Sequence, residues 1–173
     1  SGNYYPRITK PFISRKTIMT EQNQAIEPEV EQPTFDMRRV YLKDASLEIP
    51  NAPEVFLEAI EPKVQIEVSI ENKTLGNDAY DVTVSVTTTA TIDDKTFFLV
   101  EAKQAGVFEI ANIPEEQLEK ILNIVCPSML FPYLRANVSD LLTRATLPPL
   151  YLAEINFEQL YQAQLEQVHA TKQ

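Results

Sequence analysis

One thiol and one imidazole, Cys126 and His169, are all this chain offers for nucleophilic chemistry. A cysteine nucleophile needs a base within hydrogen-bond reach and a third group to orient that base. Cys126 stands at a proline corner between apolar runs and His169 stands close to the end of the sequence, with no third group in evidence. Cys126 therefore reads as a small buried hydrophobe. The acid pairs Asp93-Asp94 and Glu115-Glu116 are adjacent rather than facing across a cleft; the first has turn chemistry and the second suits a helix start. Three glycines cannot build a phosphate-cradling loop, and one cysteine with one histidine supplies neither a metal site nor an internal disulfide. These residues point away from an enzyme and from any cofactor or metal.

The elements that would position side chains in some other role begin well into the chain. The 173 residues, 44% of them hydrophobic, suffice for one domain with its own core. No run approaches the roughly 18 apolar residues of a membrane span, and the first residues lack a signal-peptide stretch, so a soluble cytoplasmic protein without membrane insertion is expected. The net charge of −10 is the balance of +4 over residues 1–18 and −14 over the remainder. An acidic body repels nucleic acid and favours basic partners. Residues 1–18 (SGNYYPRITKPFISRKTI) are basic and aromatic and read as foreign to the domain. Residues 19–34, rich in Glu and Gln without apolar periodicity, are expected to be a disordered acidic linker. The ordered domain is expected over 35–168, with a flexible tail at 169–173.

From Phe35 to Ile49 the chain is β-like, with Asp44, Ser46 and Glu48 on one face. Pro50 ends it, and residues 51–62, holding Pro53 and Pro62 around Val55, Phe56 and Leu57, form a long connection in which Asn51 can cap a helical turn. A meander follows. Val64, Ile66, Val68 and Ile70 alternate with polar residues, as do Tyr80, Val82, Val84 and Val86 after a turn at Gly76-Asn77. Asp93-Asp94 turns into a fourth strand, from Thr96 to about Phe108, that is apolar on both faces. A long connection before a three-strand meander predicts a Greek key with the first strand beside the fourth. Leu118, Ile121, Leu122 and Val125 then carry a helical stripe, as do Leu134, Val138, Leu141, Leu142 and Ala145. A last helix starts at Asn156 as its cap. The fold class is α+β: a four-stranded antiparallel Greek-key-like sheet with two main helices packed on one face.

Between the first two helical stripes lies Cys126 to Arg135, reading CPSMLFPYLR. Neither proline can donate a backbone hydrogen bond, so Pro127 is expected to stop one helix and Pro132 to restart or kink the next, leaving Leu130 and Phe131 in a bend. This stretch resembles the hallmark of the SecB family of protein-export chaperones. Further matches lie at Val40-Tyr41-Leu42-Lys43-Asp44, Pro50-Asn51-Ala52-Pro53, Leu147-Pro148-Pro149-Leu150 and Ile155-Asn156-Phe157.

The resemblance implies ATP-independent holding of unfolded precursor proteins and their delivery to the translocase ATPase SecA, by a homotetramer built as a dimer of dimers. The client groove is expected at Val55, Phe56, Val64, Ile66, Val68, Val82, Val84, Leu130, Phe131 and Tyr133. Translocase binding is expected at Asp44, Glu48, Leu99 and Glu101, which match the family's contacts to the ATPase's basic, zinc-bearing C-terminal module. The oligomer interface is expected at Val100, Ala102 and Gln104. The alternative is a SecB-like chaperone dedicated to one client, such as the antitoxin of a toxin–antitoxin system. Residues 1–18 would then represent that client, bound in the groove through Tyr4, Tyr5, Phe12 or Ile13; otherwise they are a tag.

Overall fold

In the computed structural model, residues 31–57 and 61–171 are described. The expectations for residues 1–18 and for the linker up to residue 30 lie outside them. The described residues form a four-stranded antiparallel sheet: β1 (Thr34–Glu48), β2 (Lys63–Gly76), β3 (Ala79–Ile92) and β4 (Lys95–Ala111), in the order β1-β4-β3-β2. The first strand thus lies beside the fourth, as the long connection before the meander predicts. The two hairpins close through Asn77-Asp78 and Asp93-Asp94, all four at positive φ. Tight two-residue turns that match strand twist need this conformation, and Asn and Asp tolerate it best after glycine. In the connection, Asn51 spends its side chain differently from the expected cap. Its Nδ2 donates to Thr96 O at 2.8 Å, tying the segment to β4, and a 3-10 turn follows at Glu54–Leu57.

The helical half opens with α1 (Glu115–Lys120), continues through a π segment (Ile121–Val125) and passes directly into α2 (Cys126–Arg144); α3 (Phe157–Thr171) follows. The expected bend at Cys126–Arg135 is corrected here, because helix runs uninterrupted across both prolines. Pro127 falls in the first turn of α2, where a missing N–H costs little, and the wider π turn just before it makes room for the ring. Pro132 does sit inside α2, a position that costs about 3 kcal/mol in isolation. Its ring faces solvent while Leu130, Phe131, Leu134, Val138 and Leu142 are buried, and burial of one large side chain already contributes about 2 kcal/mol. The cap expected of Asn156 forms, its Oδ1 accepting the Gln159 N–H at 3.0 Å. The last helix also runs on to Thr171, into the stretch read as a tail.

The core lies between one face of the sheet and α2. Val82, Val84, Val86, Phe98, Val100, Ala102, Phe108 and Ile110 meet Leu122, Cys126, Leu130, Leu134, Val138 and Leu142 in one cluster. Gln104 shares this face and stays polar at low cost, since its Oε1 accepts the Asn137 Nδ2 at 2.7 Å. Val100, Ala102 and Gln104, expected as an oligomer interface, are instead sealed beneath the subunit's own helix. Alternation identified their face as dry, but what dries it is α2.

Candidate functional site: two faces of one sheet

α2 packs on β4 and β3 and touches β1, whereas the principal helical neighbour of β2 is the π segment. Pairing of Val64 with Ala90, Ile66 with Thr88, Val68 with Val86 and Ile70 with Val84 puts the apolar set of β2 on the same face as the core. The helix stops short of it, so Val64 and Ile66 are 41% and 47% exposed. Beside them opens a cleft of about 330 Å³, lined among others by Val64, Phe97, Phe98, Leu142, Leu147 and Leu150. The end of α2 shapes its wall. Leu147 N–H donates to Leu142 O and Thr146 N–H to Thr143 O, with Thr146 at φ 61. These bonds form a Schellman motif, whose accompanying apolar pair is Leu142 and Leu147. Phe56, half exposed, meets the Phe97 ring edge-on at 6.4 Å and extends the apolar surface.

The expected groove residues divide. Val64, Ile66 and Phe56 are exposed on or beside the cleft, and Val68 is half buried. Val82, Val84 and Leu130 are fully buried, Phe131 is 5% exposed with its ring against Phe157, and Val55 is 4% exposed. A surface role for these five is corrected: all five are sealed, with Val82, Val84, Leu130 and Phe131 in the sheet–helix core. Tyr133 is exposed on α2 but does not line the cleft. Sequence reasoning missed Phe97, Phe98, Leu147 and Leu150, although the paired phenylalanines and the Leu-Pro-Pro-Leu loop were the signal.

The opposite face of the sheet is polar. Directly opposed residues on antiparallel neighbours share a face, and here Glu48 stands opposite Leu99, Ser46 opposite Glu101 and Asp44 opposite Lys103. Asp44, Glu48, Leu99 and Glu101 are thereby brought onto one surface, with the three acids exposed and Leu99 half buried. A register shift between Leu42 and Asp44 puts Lys43 in a bulge. Its ammonium reaches Asp81 Oδ2 at 2.9 Å and Thr83 Oγ1 at 3.1 Å, while Tyr41 O–H donates to Asp81 Oδ1 at 2.8 Å. The bond to Asp81 holds the Lys43 pKa above the usual lysine value.

Cys126 is fully buried, and burial pushes its pKa up to about 12, so it is protonated and inert at neutral pH. The side chain of His169 lies outside what is described. Among the described residues no group of three or more His, Cys, Asp or Glu side chains is placed to hold a metal, and no helix is long and apolar enough to cross a membrane.

The model of the family described as preprotein translocase subunit SecB matches residues 28–168. A protein-export protein SecB from Bordetella petrii is 50% identical over 151 residues, covering 87% of this chain and 86% of the relative. One from Burkholderia vietnamiensis is 53% identical over 137 residues, covering 79% and 86%. Among solved structures, a Mycobacterium tuberculosis SecB-like chaperone in complex with a peptide from an antitoxin superposes with a TM-score of 0.58 at 21% identity. It covers 70% of this chain and 90% of that one, a likeness of fold.

Proposed function

The chain belongs to the SecB family and is a protein-export chaperone, and we propose that it holds unfolded precursor proteins on the uncovered apolar flank of its sheet and presents the other face to the translocase ATPase. One observation carries the first half of this reading: α2 leaves Val64 and Ile66 open beside a cleft walled by Phe97, Phe98, Leu142 and Leu147. Such a surface accepts any extended segment with large apolar side chains. Burial of each anchor contributes about 2 kcal/mol, without a nucleotide-driven step. β2 is also an edge strand, so its unpaired backbone groups border the same flank. Holding is a binding function, and no catalytic group is assigned to it.

The second half rests on charge and register. Glu48 stands opposite the apolar Leu99, with Glu101 and then Asp44 farther along the same face, a pattern complementary to a basic module with an apolar contact. Assembly as a homotetramer, a dimer of dimers in the cytoplasm, completes the proposal. The long edge of β1 and the exposed side chains of Phe35 and Leu42 are the support for a subunit contact there. The test is suppression of aggregation of a chemically unfolded client. Val64→Asp with Ile66→Asp should abolish it in a protein that keeps its fold, and undiminished suppression would remove the cleft from the mechanism.

A further inference from the structure

Two lysines stand on the outer face next to the acidic surface, and the sheet treats them differently. Lys43 is bonded to Asp81 and Thr83 on β3, so its charge is neutralised within the subunit. Lys103 is exposed and forms no ion pair among the described residues. It is nonetheless placed within the surface. Lys103 is opposite Asp44 on β1 and opposite Ser85 on β3, and it shares its face with Glu101 two residues away. Directly opposed side chains in a sheet start about 5 Å apart at Cβ. Lys103 is therefore the direct cross-strand neighbour of Asp44 and lies two residues from Glu101 on the same face, and among the described residues it is bonded to neither.

We propose that Lys103 is a specificity-determining residue that restrains docking of basic partners on the outer face, an inference that rests on the docking reading above. A basic group that approaches Asp44 and Glu101 meets this free ammonium at the same time. Lys103 reduces the local formal charge of Asp44, Glu48 and Glu101 from −3 to −2 and places the remaining cation on the Asp44 side. Positive charge is then best received at the Glu48 and Leu99 end, whereas the Lys103 end favours a carboxylate or carbonyl acceptor. The preferred partner is a basic surface carrying an acceptor on one side, which fixes its orientation. A carrier must also let go after delivery, and a like charge inside the contact limits the affinity to what release allows.

The probe is the basic C-terminal module of the translocase ATPase, titrated calorimetrically against the full chain. Like charges a few ångströms apart in water correspond to a factor of about three per unit charge, and the effect fades as salt shortens the screening length. Lys103→Gln should tighten binding about threefold and Lys103→Glu about tenfold at low salt, with both differences lost in concentrated salt. Client holding by these variants should match that of the unaltered chain. Asp44→Lys with Glu101→Lys, measured beside them, separates the two readings. If that pair abolishes binding while Lys103→Glu binds no tighter, the restraint is overturned and the docking face stands. If the pair leaves binding unchanged, the docking face is overturned and the role of Lys103 with it.

Discussion

A Cβ built on Gly106 would stand 2.9 Å from Leu130 Cδ2, with Phe108 Cε2 also at 2.9 Å and Arg39 O at 3.2 Å. Gly106 is therefore a point of close approach between β4 and α2, met by Leu130, which is fully buried. Gly106→Ala should cost about 1–3 kcal/mol, because neither a sealed leucine nor a backbone carbonyl can retreat freely. Chemical denaturation checks this. Gly106→Ala combined with Leu130→Val should recover part of the loss.

The end of α2 predicts the opposite sign. Thr146 is a β-branched residue at φ 61 in the Schellman motif that leads into the cleft wall. Left-handed backbone costs a non-glycine residue about 1–2 kcal/mol, which glycine avoids. Thr146→Gly should accordingly stabilise the protein by up to about 1 kcal/mol, read as a higher denaturation midpoint with unchanged client holding.

Alternation made the strands legible, and the long connection before the meander made the β1–β4 pairing legible. These features also place Asp44 and Glu48 beside Leu99 and Glu101. What alternation cannot say is how far a covering element extends. Val64 and Val84 occupy the same face of the sheet, yet α2 seals the second and leaves the first open. The prolines misled for a related reason. Pro127 is expected to end an α-helix, and the π turn that accommodates it has no sequence mark. The Lys43 bulge is equally silent in sequence, although it decides which lysine is neutralised.

Cys126 sets a pH dependence. Its folded pKa of about 12 lies above the ordinary value of 9, so the neutral thiol is favoured by folding. The associated stability is fully present below pH 9 and is lost as pH rises toward 12. The stability difference between the unaltered chain and Cys126→Ala should shrink over that range. The thiol should also resist alkylation at pH 8 until denaturant is added, and rapid labelling of the native chain would contradict its burial.

Val100 separates folding from assembly. Because it is fully buried against α2, Val100→Asp places a carboxylate in the subunit core, where an unpartnered charge costs on the order of 4 kcal/mol or more. Circular dichroism should register lost structure together with any change in light scattering. A variant that dissociates while its subunits keep native stability would return Val100 to the interface between subunits.

The two faces should be separable by mutation, since the sheet lies between them. Asp44 and Glu101 are exposed on the outer face and touch nothing in the core, so Asp44→Lys with Glu101→Lys alters charge without altering packing. Reversing both leaves Glu48 as the one acid of the set and gives the face a net positive charge together with Lys103, which repels a basic module. Binding of that module should fall at least about a hundredfold at low salt, the scale expected when close complementary charge pairs are made repulsive. Val64 and Ile66 point to the other side, where Asp substitutions place charge on the apolar flank. The outer-face pair should therefore lose translocase binding and keep client holding, and the flank pair should do the reverse. The contrast also controls for misfolding, since a merely unstable protein would lose both activities. Loss of both in either variant, with native circular dichroism, would mean that one surface serves client and translocase alike.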